Sequence, residues 1–450
     1  MIFSEFPDNF SGKKTHQYSI IMATVNRQIP PPVYQPDKLT EIDLQSFTLD
    51  NGVKMYPVDA GTQELMEIQG IFKAGSSYQP KPFVARFTNI LLKEGSAKYS
   101  SSEISGILDF YGAYLNNSIN LDAGTMSFFI LNKHLNDVMP VIEDVIKNPV
   151  FPEKELEIYR ANSIHDLRVK QEKVDFIARR AFMKQVYGER HPYGFMGEVE
   201  DFDNICREDL TDFHYRHYGL ESAKILIAGK LPGGLADTMN RYFGQKDFLH
   251  NAGFQAPAFD MPLPPPARRL IHKDAAVQSA IVIGKALFNR KHPDYFDFSI
   301  MNTVLGGYFG SRLMKNIREE KGYTYGVHSG LFSHYEGGTF KIFTQVGCEN
   351  TANALNEIYK EIEILQNDLI GEDELETVKN YLTGQLLRTF DGVFSLAYSV
   401  RLILEYDLGT GYFNDFLRRI REITPAAIRL MAQKYLALDS LHELVVGKMD

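Results

Sequence analysis

The feature that most constrains this chain is that it repeats itself. Lys154-Glu-Leu-Glu-Ile-Tyr-Arg160 opens a helical run continuing to Leu167, and Asp373-Glu-Leu-Glu-Thr-Val-Lys379 opens another, 219 positions on, continuing to Leu386. A helical segment ending at Tyr218 leads into the strand-like Ile225-Leu-Ile-Ala-Gly-Lys230. Another, ending 217 positions later at Tyr435, leads into Glu443-Leu-Val-Val-Gly-Lys448. Three anchors in one order at nearly one spacing describe a duplicated unit. At 450 residues the chain is also too long for a single core, so two similar domains satisfy both observations.

Between the halves, His250 to Arg268 carries Pro257, Pro262 and Pro264-Pro265-Pro266. Prolines remove backbone donors and favour extended, stiff chain, so this stretch is a linker. The division expected is an extension over 1–37, a first unit over 38–249, the linker over 250–268 and a second unit over 269–450. Each unit mixes strands with long helices. Leu65 to Phe72 alternates imperfectly, and Ser100-Ser-Ser-Glu103 forms a capping-box pattern ahead of Ile104, Ile107 and Leu108 at helical spacing. In the second unit Ser279 to Ile283 and Thr339 to Thr344 read as strands, and Ala352 to Leu365 as a helix. With no regular strand–helix alternation, the class expected is α+β, with the two units arranged like a clam.

Several kinds of chemistry are absent. There is no G-x-x-x-x-G-K-[ST] loop and no G-x-S-x-G elbow. The net charge is -9, and the nearest candidates for a basic cluster, Arg179-Arg180 and Arg268-Arg269, are short and read as solvated faces. That argues against a nucleic-acid partner. Two cysteines, Cys206 and Cys348, without C-x-x-C spacing fit a reducing compartment rather than a disulfide framework. No apolar run reaches the roughly 18 residues of a membrane helix, and the stretch from Tyr18 to Val25 is too short for a secretory signal. A cytoplasmic location follows as the expectation, with Met22 an alternative start. His214-Tyr-Arg-His217 puts two imidazoles on one helix face, but no carboxylate follows at matching spacing, and the aromatic neighbours point to a packed helix.

The most informative stretch is Gly306-Gly-Tyr-Phe-Gly-Ser-Arg-Leu-Met-Lys-Asn-Ile-Arg-Glu-Glu-Lys-Gly-Tyr-Thr-Tyr325. Its glycines allow a tight turn, Ser311 is a candidate N-cap for a helix through Arg318 or Glu319, and Gly322 ends that helix before a strand over Tyr323 to Val327. A short reversal brings Arg318 and Tyr325 toward one place, where a guanidinium fork and a phenol O–H suit a carbonyl or an oxyanion. On spacing alone the plainer reading is stronger: Arg318 as a cation at a helix C-terminus and Tyr325 as a core aromatic.

Resemblance shifts that balance. From Leu305 to Val327 the chain resembles the C-terminal-half motif of the pitrilysin/insulinase family of zinc peptidases, the inverzincins. There an arginine and a tyrosine seven positions later reach toward the zinc site of the opposite domain. The resemblance extends from about Lys38 to Lys448 and implies two homologous α+β domains, each an antiparallel sheet with helices packed on it. The family's zinc motif, H-x-x-E-H, falls on Ala85-Arg-Phe-Thr-Asn-Ile90, with Arg86 and Ile90 where the histidines belong and Asn89 where the glutamate belongs. The third ligand falls near Asp166, beside His165. A guanidinium stays protonated and an isoleucine has no lone pair, so neither binds zinc.

The resemblance therefore implies a non-catalytic subunit with no cofactor of its own. Its partner would be a zinc-motif subunit of similar length, in a heterodimer acting on peptides or unfolded segments, with Arg318 and Tyr325 as the site residues. The alternatives are an inert structural or binding homologue, forming a homodimer or larger assembly, and an independent zinc peptidase using His214 and His217.

Overall fold

The computed structural model describes residues 36–219, 223–246 and 256–449. Met22, nearly all of the expected extension and the first part of the proline-rich linker lie outside them. The residues from Lys38 onward form one contact unit. Its first half carries β1 (Phe47–Thr48), β2 (Lys54–Asp59), β3 (Leu65–Phe72), β4 (Tyr114–Ile119), β5 (Gly124–Leu131) and β6 (Lys224–Gly229), in the sheet order β1-β2-β6-β3-β5-β4. The second carries β7 (Arg268–His272), β8 (Gln278–Leu287), β9 (Val327–His334), β10 (Gly337–Gly347) and β11 (His442–Gly447), in the order β7-β11-β8-β10-β9.

Setting aside the two-residue β1, the two sheets are wired identically. In each the last strand inserts between the first and second, and the third lies at the edge. Ile227 of β6 pairs with Pro57 and Ile68, while Val445 of β11, 218 positions on, pairs with Leu270 and Ile281. The pairings are antiparallel except β2 with β6 and β7 with β11. A parallel pair needs a long crossover, and here the crossover contains most of the half.

The helices follow the same duplication. Between β3 and β4 lie α1 (Val84–Leu91) and α2 (Ser101–Phe110). Between β5 and β6 lie α3 (Leu135–Lys147), α4 (Glu153–Gln171), α5 (Val174–Tyr187) and α6 (Arg207–His217), and α7 (Leu235–Phe243) follows β6. In the second half α8 (Tyr295–Asn302) precedes β9, and α9 (Thr351–Asn367), α10 (Glu372–Arg388), α11 (Val393–Tyr406), α12 (Tyr412–Glu422) and α13 (Pro425–Tyr435) fill the return to β11. The repeated Glu-Leu-Glu runs open α4 and α10. The Ser100 box caps α2 as its pattern implies: Ser100 Oγ accepts from the Glu103 N–H, and the Glu103 carboxylate accepts from the Ser100 N–H at 2.8 Å.

One feature was not visible in the repeat. Each sheet buries one face under its own helices and the other under a helix from the opposite half. Ala178, Phe182 and Val186 of α5 pack on Ala280 and Val282 of β8 and on Leu444 and Val446 of β11. Reciprocally, Ala397, Val400 and Leu404 of α11 share a core with Val58, Leu226 and Ala228 of β2 and β6. Two buried faces explain why β6 and β11 read as continuous apolar runs rather than alternating ones. The halves thus interlock, and the polar residues near α5 and the β9–β10 hairpin lie between them.

Candidate functional site

The segment holding Arg318 and Tyr325 is anchored from below. After α8 the backbone winds wide over Thr303–Gly307 and packs against β9, where a Cβ on Gly306 would meet Ser329 Oγ at 2.6 Å and its nitrogen at 2.9 Å. A second helix begins at Arg312 and is wound as a π-helix over Met314–Glu320. Such turns leave the ordinary hydrogen-bond ladder and recur at functional sites. Met314 and Ile317 of this turn enter the core. Arg312 makes a two-pronged pair with Glu374 of α10, both bonds 2.8 Å, and Asn316 Nδ2 donates to Glu357 at 2.8 Å and Glu361 at 2.7 Å on α9. With three sides pinned, Arg318 keeps a third of its side chain exposed, its guanidinium 4.5 Å from the Phe309 ring centroid.

Gly322, at φ +67°, ends the helix as expected. Two details differ. The Ser311 hydroxyl is buried and has no hydrogen-bond partner among the described residues, so it does not cap the helix. The strand expected over Tyr323 to Val327 begins only at Val327, because residues 321–326 form a loop tied down through Thr324 Oγ1, which donates to the Gln345 carbonyl at 2.7 Å. Tyr325 rides that loop with 94% of its surface exposed, so it is not the core aromatic of the plainer reading. Phe309, beside Arg318, is 62% exposed. Among the described residues no hydrogen bond joins Arg318 to Tyr325. The pair is presented outward on a rigid base.

The segment carrying Arg86, Asn89 and Ile90 behaves in the opposite way. Asn89 in α1 is fully buried and donates from Nδ2 to the Tyr218 hydroxyl at 3.0 Å, while its backbone carbonyl accepts from Asn117 at 2.7 Å. One asparagine thereby knots α1 to the end of α6 and to β4. Arg86, one turn earlier, is exposed and donates from Nε to the Tyr159 hydroxyl of α4 at 3.1 Å. Arg86 and Asp166 line one cavity of about 160 Å³ with Phe83, Lys170, Arg180 and Phe202, so Asp166 rather than His165 faces it. Among the described residues, no group of three or more His, Cys, Asp or Glu side chains is placed to hold a metal ion.

The histidine pair takes its packed role. His214 Nε2 lies 2.8 Å from the Ile146 carbonyl and His217 Nδ1 3.0 Å from the Lys73 carbonyl, each ring stacked on an aromatic neighbour. Burial lowers His217 to about 4, and does the same to His334 across the molecule.

Two further groups take part in packing that the sequence reading did not anticipate. Asp122, in the β4–β5 turn, accepts from the Tyr193 hydroxyl at 2.8 Å and from the Tyr335 N–H at 3.1 Å, tying the first half to the β9–β10 turn of the second. Burial raises its carboxyl to about 6 against the pull of those two bonds. The second group is Arg179-Arg180, read above as a solvated face. Arg179 stacks over Phe343 at 4.7 Å, and Arg180 is mostly buried against the Gly197 carbonyl and Glu198. Helix α5 crosses to the other half, and that crossing buries Arg180, while Arg179 keeps 60% of its side chain exposed, as the solvated-face reading expects.

With this geometry in hand, similarity to known proteins is informative. A family model described as insulinase (peptidase family M16) matches residues 63–192, and one described as peptidase M16 inactive domain matches residues 204–382. An uncharacterized zinc protease of Bacillus subtilis, YmxG, is 23% identical over 357 residues, 78% of this chain and 86% of that one. The crystal structure of a peptidase M16 inactive domain from Pseudomonas fluorescens aligns with TM-score 0.82 at 25% identity, covering 91% of this chain and 98% of that one. A protease from Helicobacter pylori aligns with TM-score 0.81 at 18% identity, covering 90% and 100%, which speaks to fold alone. Among the described residues no helix is long and apolar enough to cross a membrane.

Proposed function

The chain belongs to the insulinase family of peptidases, M16, and within it we propose that it is the non-catalytic subunit of a two-chain zinc peptidase. A partner of similar length carries the zinc site, and this chain supplies Arg318 and Tyr325 to it. The observation that carries the reading is the contrast between the two motif segments. Arg318 and Tyr325 are exposed on a braced base, with no structural task visible for the phenol. Asn89, where the general base would stand, is consumed by the core, and Arg86 cannot release the proton a metal ligand must lose.

In this reading the Arg318 guanidinium donates to the carbonyl of a bound peptide or unfolded segment. The Tyr325 hydroxyl gives a second donor. Both strengthen as negative charge gathers on that oxygen, which is where a positioned donor accelerates acyl transfer. Zinc, held by the partner, supplies Lewis-acid polarisation and the activated water.

Reconstitution tests this. The chain mixed with a zinc-motif M16 subunit from the same organism is expected to hydrolyse a peptide that neither hydrolyses alone, with Arg318→Ala and Tyr325→Phe both slowing it. Unchanged turnover in both variants removes their assigned roles. No gain with any zinc-motif chain, together with a stable homodimer on sedimentation, favours the inert scaffold instead.

A further inference from the structure

The cavity lined by Arg86 and Asp166 shares Phe176 and Arg180 with a larger one of about 320 Å³, bounded by α5 on one side and by Phe332, His334 and Lys341 of β9 and β10 on the other. Phe176, Arg179, Arg180 and Met183 follow the i, i+3, i+4, i+7 spacing, so a single face of α5 lines the join. The two adjoining cavities, taken together as one cleft, are lined by Arg86, Lys170, Arg179, Arg180 and Lys341 against one lining carboxylate, Asp166. The chain as a whole has 57 acidic and 48 basic residues, so composition does not account for this surplus.

The partners of these cations sharpen the point. Arg180 is offset by Glu198 at 3.3 Å, and Arg179 has Asp175 at 3.9 Å. Among the described residues Arg86 is met by a phenol, and Lys341 by the Phe332 ring at 4.4 Å. Among the described residues no carboxylate lies within ion-pair distance of Arg86, Lys170 or Lys341. Lys341 is half-buried on β10, and burial lowers its pKa, with Arg179 adding to the effect. A cation withdrawn from water without a counter-charge is costly, and an incoming anion recovers that cost. Walls of one sign also concentrate oppositely charged ligands.

We propose that this cleft seats an acidic peptide segment, its carboxylates meeting Lys341, Lys170 and Arg86 while apolar side chains lie against Phe176, Phe332 and Met183. That the anion belongs to a peptide rests on the peptidase-subunit reading. The sign of the cleft rests on the residues alone. Cavities of this size admit side chains rather than a nucleic-acid duplex, and the net charge of -9 repels a polyanion.

The chain contains no tryptophan, so a peptide carrying one can be followed by its own fluorescence anisotropy. Two decapeptides identical except for three Glu or three Lys are titrated with the isolated full chain at low salt. The acidic peptide is expected to bind at least tenfold tighter, with the gap closing as sodium chloride screens it. Lys341→Met and, as a second variant on a different element, Lys170→Met are each expected to weaken the acidic peptide at least threefold with unchanged circular dichroism. Equal binding of both peptides, no binding of either, or wild-type affinity in both variants overturns the proposal. Displacement by inorganic phosphate as effective as by the peptide also overturns it, in favour of a small-anion site. Since no partner is present, failure of reconstitution with this binding intact sinks the subunit reading alone.

Discussion

In the first half the helix after β3 turns its key polar residue inward, and in the second half the segment before β9 leaves its own outside. Asn89 is fully buried and bonded to Tyr218, whereas Tyr325 is 94% exposed and Arg318 rests on one aromatic ring. The strands around them are wired alike, down to the pairing of Ile227 and Val445. The wiring is carried by apolar strand residues that face helices on both sides. Polar residues on the connecting segments can therefore change role without disturbing it. A side chain absorbed by the core is no longer available to a ligand, while one held out on a rigid base has no other evident use.

The largest effect that would break this contrast is on turnover. Arg318→Ala is expected to lower the reconstituted kcat/KM by about 100-fold or more, with the melting temperature of the chain unchanged. A stability loss alone would make Arg318 structural, like Asn89.

Next in size is a pH effect that treats the halves alike, because each contributes a buried neutral histidine. His217 and His334 are lowered to about 4 from an ordinary 6.5. Between pH 6.5 and 4 the unfolded chain takes up protons that the folded chain refuses, so stability falls with pH, by about 3 kcal/mol per histidine at most. Asp122 opposes them: its carboxyl, raised to about 6, is protonated first in the folded chain and adds stability as pH falls from 6 to 4. Urea midpoints across this range should decline for the wild type and decline more steeply for Asp122→Asn. A flat profile in both would show that these groups are not buried as described.

Asn89→Ala should cost about 2 kcal/mol in urea denaturation, since it leaves the Tyr218 hydroxyl buried without its partner. It should leave the acidic-peptide affinity unchanged, which sharpens the view of Asn89 as structural. Smallest of all, Gly384 lies inside α10 with open space around its missing Cβ, where α4 carries His165 at the equivalent position. Gly384→Ala is expected to raise stability by roughly 0.5–1 kcal/mol in the same assay.

Much of the architecture was legible before any coordinates. The Glu-Leu-Glu runs, the two Gly-Lys strand ends and the Ser100 box located α4, α10, β6, β11 and α2, because periodicity and capping are local effects. The loop at Tyr325 was misread as a strand because Tyr323 to Val327 alternates by chance, while the constraint that keeps it irregular is a bond from Thr324 to Gln345, distant in sequence. Of the Arg179-Arg180 pair, Arg179 faces water as expected, but Arg180 was misread because nothing local reveals that α5 crosses to the other half's sheet.

The sequence by itself determined that there are two copies of one α+β unit, that the Arg86–Ile90 stretch cannot ligate a metal, and that Arg318 and Tyr325 are the residues to examine. The first two follow from repetition and from the chemistry of single side chains, the third from the family resemblance. The exchange of α5 and α11, the clasp at Asp122 and the cationic cleft were decided only by tertiary structure. Each depends on which apolar face covers which sheet, and an apolar stripe says that it must be buried without saying against what.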